Sequence, residues 1–385
     1  MALLRELIQP ASLERCGDHS FPVLSMTMHD GIMLQSDRFK KSLASVDQSA
    51  YKVVRRNQLV VGFPIDEGVL YIQQVADAGI MSPAYDVWNV DETKVNLQYF
   101  ELCLHSPQSM MFYRTNLRGT TARRRSLPKE TLLSLPVPVP SMERQREIAS
   151  TIVRLKELIE LRQRQLRTLD TLIKALFVEM FGDPISNPMK WEKCKLEDCL
   201  ERIDNGKSFV CSDKARTNDY PAVLKLSAAT YGNYRPYENK ALLDEHQFVE
   251  SAEVHNGDLL FTRKNTPELV GMAAYVHETP PKLMMPDLIF RLVPNEKMNA
   301  MFLWQLINCK EYRLVIQSIS GGSAKSMSNI SKERLGKIQV ICPPREKQDK
   351  LSPFIQQIDK SKSVVQQALA KDQLLFDSLM QQYFG

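Results

Sequence analysis

The chain has 385 residues, 43% of them hydrophobic and 25% charged, with a formal net charge of +5. It is long enough for two units each to bury a core, too apolar for a disordered chain, and too weakly basic to face nucleic acid with its whole surface, so any basic footprint must be local. No run of 18 apolar residues occurs, and Leu3-Leu4-Arg5-Glu6 puts charges where a signal peptide needs an apolar stretch, so a soluble, cytoplasmic protein without a membrane partner is expected. The cysteines (Cys16, Cys103, Cys194, Cys199, Cys211, Cys309, Cys342) are odd in number and scattered, with no Cys-x-x-Cys pair. They predict reduced, mostly buried thiols rather than a disulfide framework or a zinc site. The six histidines show no metal-ligand spacing either.

Residues 1 to about 140 carry short β-branched and aromatic runs separated by Gly, Pro, Asn and Asp: Phe21 to Met26, Tyr51 to Val54, Leu59 to Phe63, Gly68 to Gln73 and Leu135 to Val139. These are strand signals, and they predict an α+β domain. From Glu143 to Phe181 there is neither Gly nor Pro, and Ile148, Ile152, Leu155, Ile159, Leu166, Leu169, Ile173, Leu176 and Met180 recur in steps of four and three, broken at Arg162. That spacing predicts a helix of about 38 residues with a coiled-coil seam, capped at Ser141 and stopped by Gly182 and Pro184. Strand-like runs return between Trp191 and Cys342: Ala222 to Leu226, Asp258 to Arg263, Gly271 to His277, Leu288 to Val293 and Ile338 to Ile341. The last segment, Arg345 to Phe384, repeats the seam as Leu351, Ile355, Ile358, Val365, Leu369, Phe376, Leu379 and Tyr383, broken at Lys362 and Asp372. With Ser352 before it, Pro353 marks where the regular part of this second helix is expected to begin.

The second half of the chain repeats the first. Lys129-Glu130 falls on Lys332-Glu333, and the match runs without a gap, at an offset of 203 (332 minus 129), to Phe181-Gly182 on Phe384-Gly385. Pro140, Glu143, Gln145, Leu166, Leu172 and Leu176 meet Pro343, Glu346, Gln348, Leu369, Leu375 and Leu379; upstream the match is looser. Two similar units of this size suit a target made of two halves. If the two helices pair antiparallel with full overlap, Arg162 faces Asp372 and Lys362 faces Asp170, and two opposite-charge pairs would set direction and register. The other reading of these four residues is that they tilt to solvent. A helix of this length spans roughly 50 to 55 Å, comparable to about 15 base pairs, so the helix pair reads as a spacer.

One pattern occurs twice: a Gly-Thr/Ser turn, an apolar strand ending in Pro, then Glu and Gln leading into a long helix that ends Phe-Gly. It appears as Gly119-Thr120, Val137 to Pro140, Glu143, Gln145 and Phe181-Gly182, and as Gly322-Ser323, Val340 to Pro343, Glu346, Gln348 and Phe384-Gly385. With Phe181-Gly182-Asp183-Pro184, Trp191, Lys195-Leu196 and Asn256 to Arg263, this resembles the specificity subunit of type I restriction-modification systems over essentially the whole chain. The resemblance implies two pseudo-repeated target-recognition domains, residues 1–140 and 183–343, separated by two long antiparallel coiled-coil helices, 141–182 and 344–385. It implies a non-catalytic prokaryotic DNA reader, with each domain reading half of an asymmetric bipartite site in double-stranded DNA while the helices set the gap. Its expected partners are two methyltransferase subunits and restriction/translocase subunits. It also implies no cofactor on this chain: S-adenosylmethionine belongs to the methyltransferase, and ATP and Mg to the restriction subunit.

The residues agree that chemistry lies elsewhere. Cys342-Pro343-Pro344-Arg345 lacks both the acid or amide and the aromatic with which a methylase Asn/Asp-Pro-Pro-Tyr/Phe motif holds and stacks a flipped base. Gly206-Lys207-Ser208 resembles the end of a phosphate loop, but Glu201 stands where the earlier glycine is required. Asp86 with Glu92-Thr93-Lys94 resembles nuclease carboxylates only in spacing. For DNA contacts the local charge is informative: between Leu102 and Lys129 there is no acid, while Arg114, Arg118, Arg123, Arg124, Arg125 and Lys129 surround the turn at Thr120 and Thr121. Turn amides, hydroxyls and guanidinium groups together suit phosphates. The corresponding turn in the second unit holds Ser323, Lys325 and Ser326. Arg263, Lys264 and Asn265 are candidate readers of base edges, since Arg and Asn pair with guanine and adenine. Lys40, Lys41, Lys207, Ser208, Lys225 and Tyr231, with neighbouring Tyr234 and Tyr237, are weaker candidates. A coiled-coil adaptor that binds no DNA is the leading alternative, and a self-sufficient methyltransferase or nuclease the other.

Overall fold

The computed structural model describes residues 1–385 apart from 13, 29, 39–47, 119–126 and 322–326. It divides into two units, Met1–Gln163 with Gln367–Gly385, and Arg164–Gln366.

In the first unit, strand β1 (Ala2–Leu3) pairs antiparallel with β6 (Pro136–Val137). The main sheet has four antiparallel strands in the order β2 (Ile8–Pro10), β5 (Asp86–Val90), β3 (Leu59–Val61), β4 (Leu70–Ile72). Strand β3 is covered on both faces: Leu59 joins the core beneath the helices, and Val60 joins a smaller cluster with Leu24, Val54 and Met81. That double burial is why its sequence is an unbroken apolar run rather than an alternation. Helices α1 (Leu97–Leu104) and α2 (Pro107–Asn116) follow, started by Asn96 and Ser106, whose side-chain oxygens accept from Tyr99 N and Ser109 N. Then comes α3 (Met142–Phe181), 40 residues long.

The second unit repeats the plan. Strand β7 (Lys193–Lys195) pairs with β12 (Gln339–Ile341), and the four-stranded sheet runs β8 (Leu200–Asn205), β11 (Ile289–Pro294), β9 (Leu259–Thr262), β10 (Ala273–Tyr275). Helices α4 (Ala300–Asn308) and α5 (Lys310–Ser318) correspond to α1 and α2. After a short helical stretch, Arg345–Asp349, α6 runs from Leu351 to Phe384. It therefore begins two residues before Pro353, which is accommodated in its first turn, where a missing N–H costs nothing.

Each unit holds the start of one long helix and the end of the other. In the first, Ile148 and Ile152 of α3 share a core with Met380 and Phe384 of α6, and the Phe384 ring lies 5.5 Å from that of Tyr99. In the second, Ile173, Phe177 and Phe181 of α3 share a core with Leu351, Ile355 and Ile358 of α6, and Phe181 meets Phe302 edge to face at 4.8 Å. The repeated Phe-Gly is thus the terminal plug of each helix, and the fold expectation of duplicated α+β units with long antiparallel helices is borne out. Phe302 is fully buried against both Phe177 and Phe181. Phe302→Ala is expected to destabilise the second unit by about 3–5 kcal/mol, measurable as a lowered urea midpoint.

The periodicity reading did not anticipate α1, α2, α4 and α5. Helix α4, Ala-Met-Phe-Leu-Trp-Gln-Leu-Ile-Asn, is buried almost all round and so has no polar face to reveal a helical period. The thiol expectation needs two corrections. Only Cys16, Cys103 and Cys199 are fully buried, and the cysteines are not all scattered, because strand pairing brings three of them together.

Candidate nucleic-acid interface

The start of each long helix is held by a buried glutamine. Gln145 accepts from Asn96 N at 2.8 Å and donates to Lys94 O and Pro140 O, both at 2.9 Å. Gln348 accepts from Asn299 N at 2.8 Å and donates to Lys297 O at 2.9 Å and Pro343 O at 2.7 Å. Both side chains are fully buried. An amide suits this position because one oxygen and one NH₂ satisfy a donor and two acceptors at once. Each glutamine ties together the strand-to-helix turn before it and the loop that starts α1 or α4. Sequence reading marked the glutamines as repeated residues but not as clamps. The available signal was Lys94-Val95-Asn96 against Lys297-Met298-Asn299, which keeps the same offset of 203 (297 minus 94).

The four charged residues that interrupt the helix seams are paired. Arg162 Nε donates to Asp372, and Lys362 Nζ lies 2.6 Å from Asp170 Oδ1 and 3.8 Å from Asp359. Lys362 is 8% exposed, so the tilted-to-solvent reading does not hold for it. His277 Nε2 also lies 2.9 Å from Asp359 Oδ2. This acid and imidazole line a cleft of about 790 Å³ with Tyr234, Arg235, Tyr275 and Trp304.

The candidate DNA contacts separate into three groups. Lys40, Lys41, Thr120, Thr121, Arg123, Arg124, Arg125, Ser323, Lys325 and Ser326 lie outside the described residues. A second group is engaged within the protein. Lys129 pairs with Asp86 at 2.9 Å beside the Trp88 ring, Lys225 pairs with Glu238 at 3.6 Å, and Ser208 donates to Asp287. Arg263 lies over the Phe290 ring, with Nη2 3.3 Å from Asn329 Oδ1. Asn265 is held within the fold as well. It is 8% exposed, its Nδ2 donates to Thr230 Oγ1 at 3.1 Å, and its Oδ1 accepts from Thr266 N at 2.8 Å, so its recognition edge is spent inside the fold. The third group keeps its cationic or aromatic end outward: Arg118, Lys207, and Tyr231 with Arg235 stacked 4.7 Å above its ring. Arg114 is also exposed and donates to Asp66 O, while Lys264 is half-buried in a short pairing with Asn329. Asp86 and Glu92 bind separate partners, Lys129 and Asn57.

Two mixed sheet-and-helix units, each receiving the start of one long helix and the end of another, define a duplicated scaffold. Residues 188–371 match the family model of the type I restriction modification DNA specificity domain. That segment is just under half of the chain. A relative, the type I restriction enzyme EcoEI specificity subunit of Escherichia coli, is 31% identical over 202 residues, which make up 51% of this chain and 34% of the relative. The chain thus spans about a third of the length of that relative. Among solved structures, the type I restriction-modification S subunit from M. genitalium superposes with a TM-score of 0.60 at 13% identity, covering 100% of this chain and 95% of that one. A chain from a study of complex assembly and conformational transition of the type I R-M system gives 0.53 at 15% identity, covering 100% and 96%. These likenesses show the shared fold. No helix among the described residues is long and apolar enough to cross a membrane.

Proposed function

We propose that this chain is the DNA-specificity subunit of a type I restriction-modification complex. On this reading each unit reads one half of a bipartite site, while α3 and α6 set the gap and dock methyltransferase subunits that supply S-adenosylmethionine chemistry. The observation that carries the reading is the duplication itself. The same sheet, helix pair and glutamine clamp occur twice, in a chain whose residues 188–371 match the specificity-domain model. The three-stranded sheet Asn239–Ala241, Ala222–Leu224, Leu283–Met284 belongs to the second unit, so the two half-sites are expected to differ.

The test is to purify the chain with its methyltransferase and map methylated bases on genomic DNA. The expected result is an asymmetric motif with a fixed gap that disappears when this chain is omitted. A motif that persists without the chain overturns the reading. Binding should also weaken steeply with salt, because Lys and Arg contacts release counterions from the duplex. Substituting the exposed Arg118 by Ala is expected to lower affinity on all sequences alike and to reduce the slope of log affinity against log salt by about 1. Fluorescence anisotropy across a salt series measures it.

A further inference from the structure

Cys194 lies in β7, Cys199 closes the 3-10 turn Leu196–Cys199 that follows, and Cys342 comes directly after β12. Antiparallel pairing sets Cys194 opposite Val340, and the three sulfurs end within 4.8 Å of one another. The Cys194 and Cys199 Sγ atoms are 2.9 Å apart. All three are free thiols; Cys199 is buried and the other two are half-buried.

The first unit closes the same joint without sulfur. Ala2 lies opposite Val137, Leu7 is buried after the turn Leu4–Glu6, and Val139 occupies the position of Cys342 at the offset of 203 (342 minus 139). Since Ala, Leu and Val suffice there, packing alone does not require three thiols here. Three sulfurs bound at about 2.3 Å to a tetrahedral d¹⁰ cation stand roughly 3.8 Å apart; Cys194 and Cys199 would part by about an ångström, and Cys342 already lies within 4.8 Å of both. Burial pushes the Cys194 thiol up to about 12 and the Cys342 thiol to about 11. A bound cation would have to displace those protons.

We propose that Cys194, Cys199 and Cys342 form a three-thiolate site for a soft divalent cation of the zinc class. Binding releases the three thiol protons, and the half-buried side of the cluster admits water as a fourth ligand. The cation would staple β7, its turn and β12 together one residue before Pro343, whose carbonyl accepts from the Gln348 clamp.

The test uses the full chain, purified under reducing conditions. It is titrated with Zn²⁺ against a chromophoric chelator, and with Cd²⁺ while thiolate-to-metal absorption is followed. One ion per chain is expected, with a raised melting temperature. Affinity should fall by at least tenfold in Cys194→Ser and Cys342→Ser and remain unchanged in Cys309→Ser. The variant carrying Cys194→Ala, Cys199→Leu and Cys342→Val borrows the residues of the first unit and serves as a folded reference. Uptake by the native chain equal to that of this reference overturns the proposal. So does a Cys194–Cys199 disulfide in fresh protein whose reduced form takes up no metal.

Discussion

Gln348→Leu is expected to destabilise the second unit by about 3–5 kcal/mol, because three backbone groups, buried or partly buried, lose their partners at once. Asn299 N–H, Lys297 C=O and Pro343 C=O all end on this one side chain. Leucine fills the volume but offers no donor or acceptor, and each orphaned group then bears its own desolvation cost of about 1–3 kcal/mol. Gln348→Glu separates this mechanism from simple packing loss: it keeps the shape and the acceptor for Asn299 N–H but turns an oxygen toward two carbonyl oxygens, so it should be as damaging as leucine. Gln145→Leu should act in the same way on the first unit through Asn96, Lys94 and Pro140. The two clamps share no partner, so their effects should add to within about 0.5 kcal/mol. Urea denaturation monitored by circular dichroism gives the values. A loss below about 1 kcal/mol for Gln348→Leu would mean that water replaces the amide and that the helix start is held by other contacts.

How much of this was legible in the sequence depended on whether a residue's role is local or requires a partner far along the chain. The helix Met142–Phe181 could be read because its apolar spacing and its lack of Gly and Pro are local properties. The register of Arg162 against Asp372 and of Lys362 against Asp170 could also be read, because one antiparallel alignment places both pairs. The clamps were half legible: duplication marked Gln145 and Gln348, but their partners stand 49 residues away, at Asn96 and Asn299. Asn265 illustrates the opposite case. Its residue type and loop position suggested a base reader, yet whether an amide faces out or in depends on the hydroxyl of Thr230, 35 residues away. The thiol cluster lay furthest from view, since Cys342 reaches Cys194 and Cys199 only through the pairing of β7 with β12.

Asp372→Arg is expected to be the most damaging single change in the helix seam, and Arg162→Asp combined with Asp372→Arg is expected to recover most of the loss. Arg162 and Asp372 keep 27% and 16% side-chain exposure, so the pair is largely withdrawn from water. Removing the acid strands the guanidinium at a cost near the lower end of 3–5 kcal/mol, and a second guanidinium in its place adds like-charge repulsion. The double swap restores the attraction with its polarity reversed, so its recovery isolates the pairwise interaction from the intrinsic effects of each residue. A seam pair worth little because of screening would show a small single-variant loss and no rescue. The same cycle addresses function. On the proposed function, if such pairs hold the helices in one register, as seam polar residues do in some coiled coils, Asp372→Arg should broaden or shift the gap in the methylated motif and the double swap should restore it. Loss of stability with an unchanged gap would instead assign the register to the aromatic plugs, Phe384 on Tyr99 and Phe181 on Phe302, and leave the ion pairs a stabilising role alone.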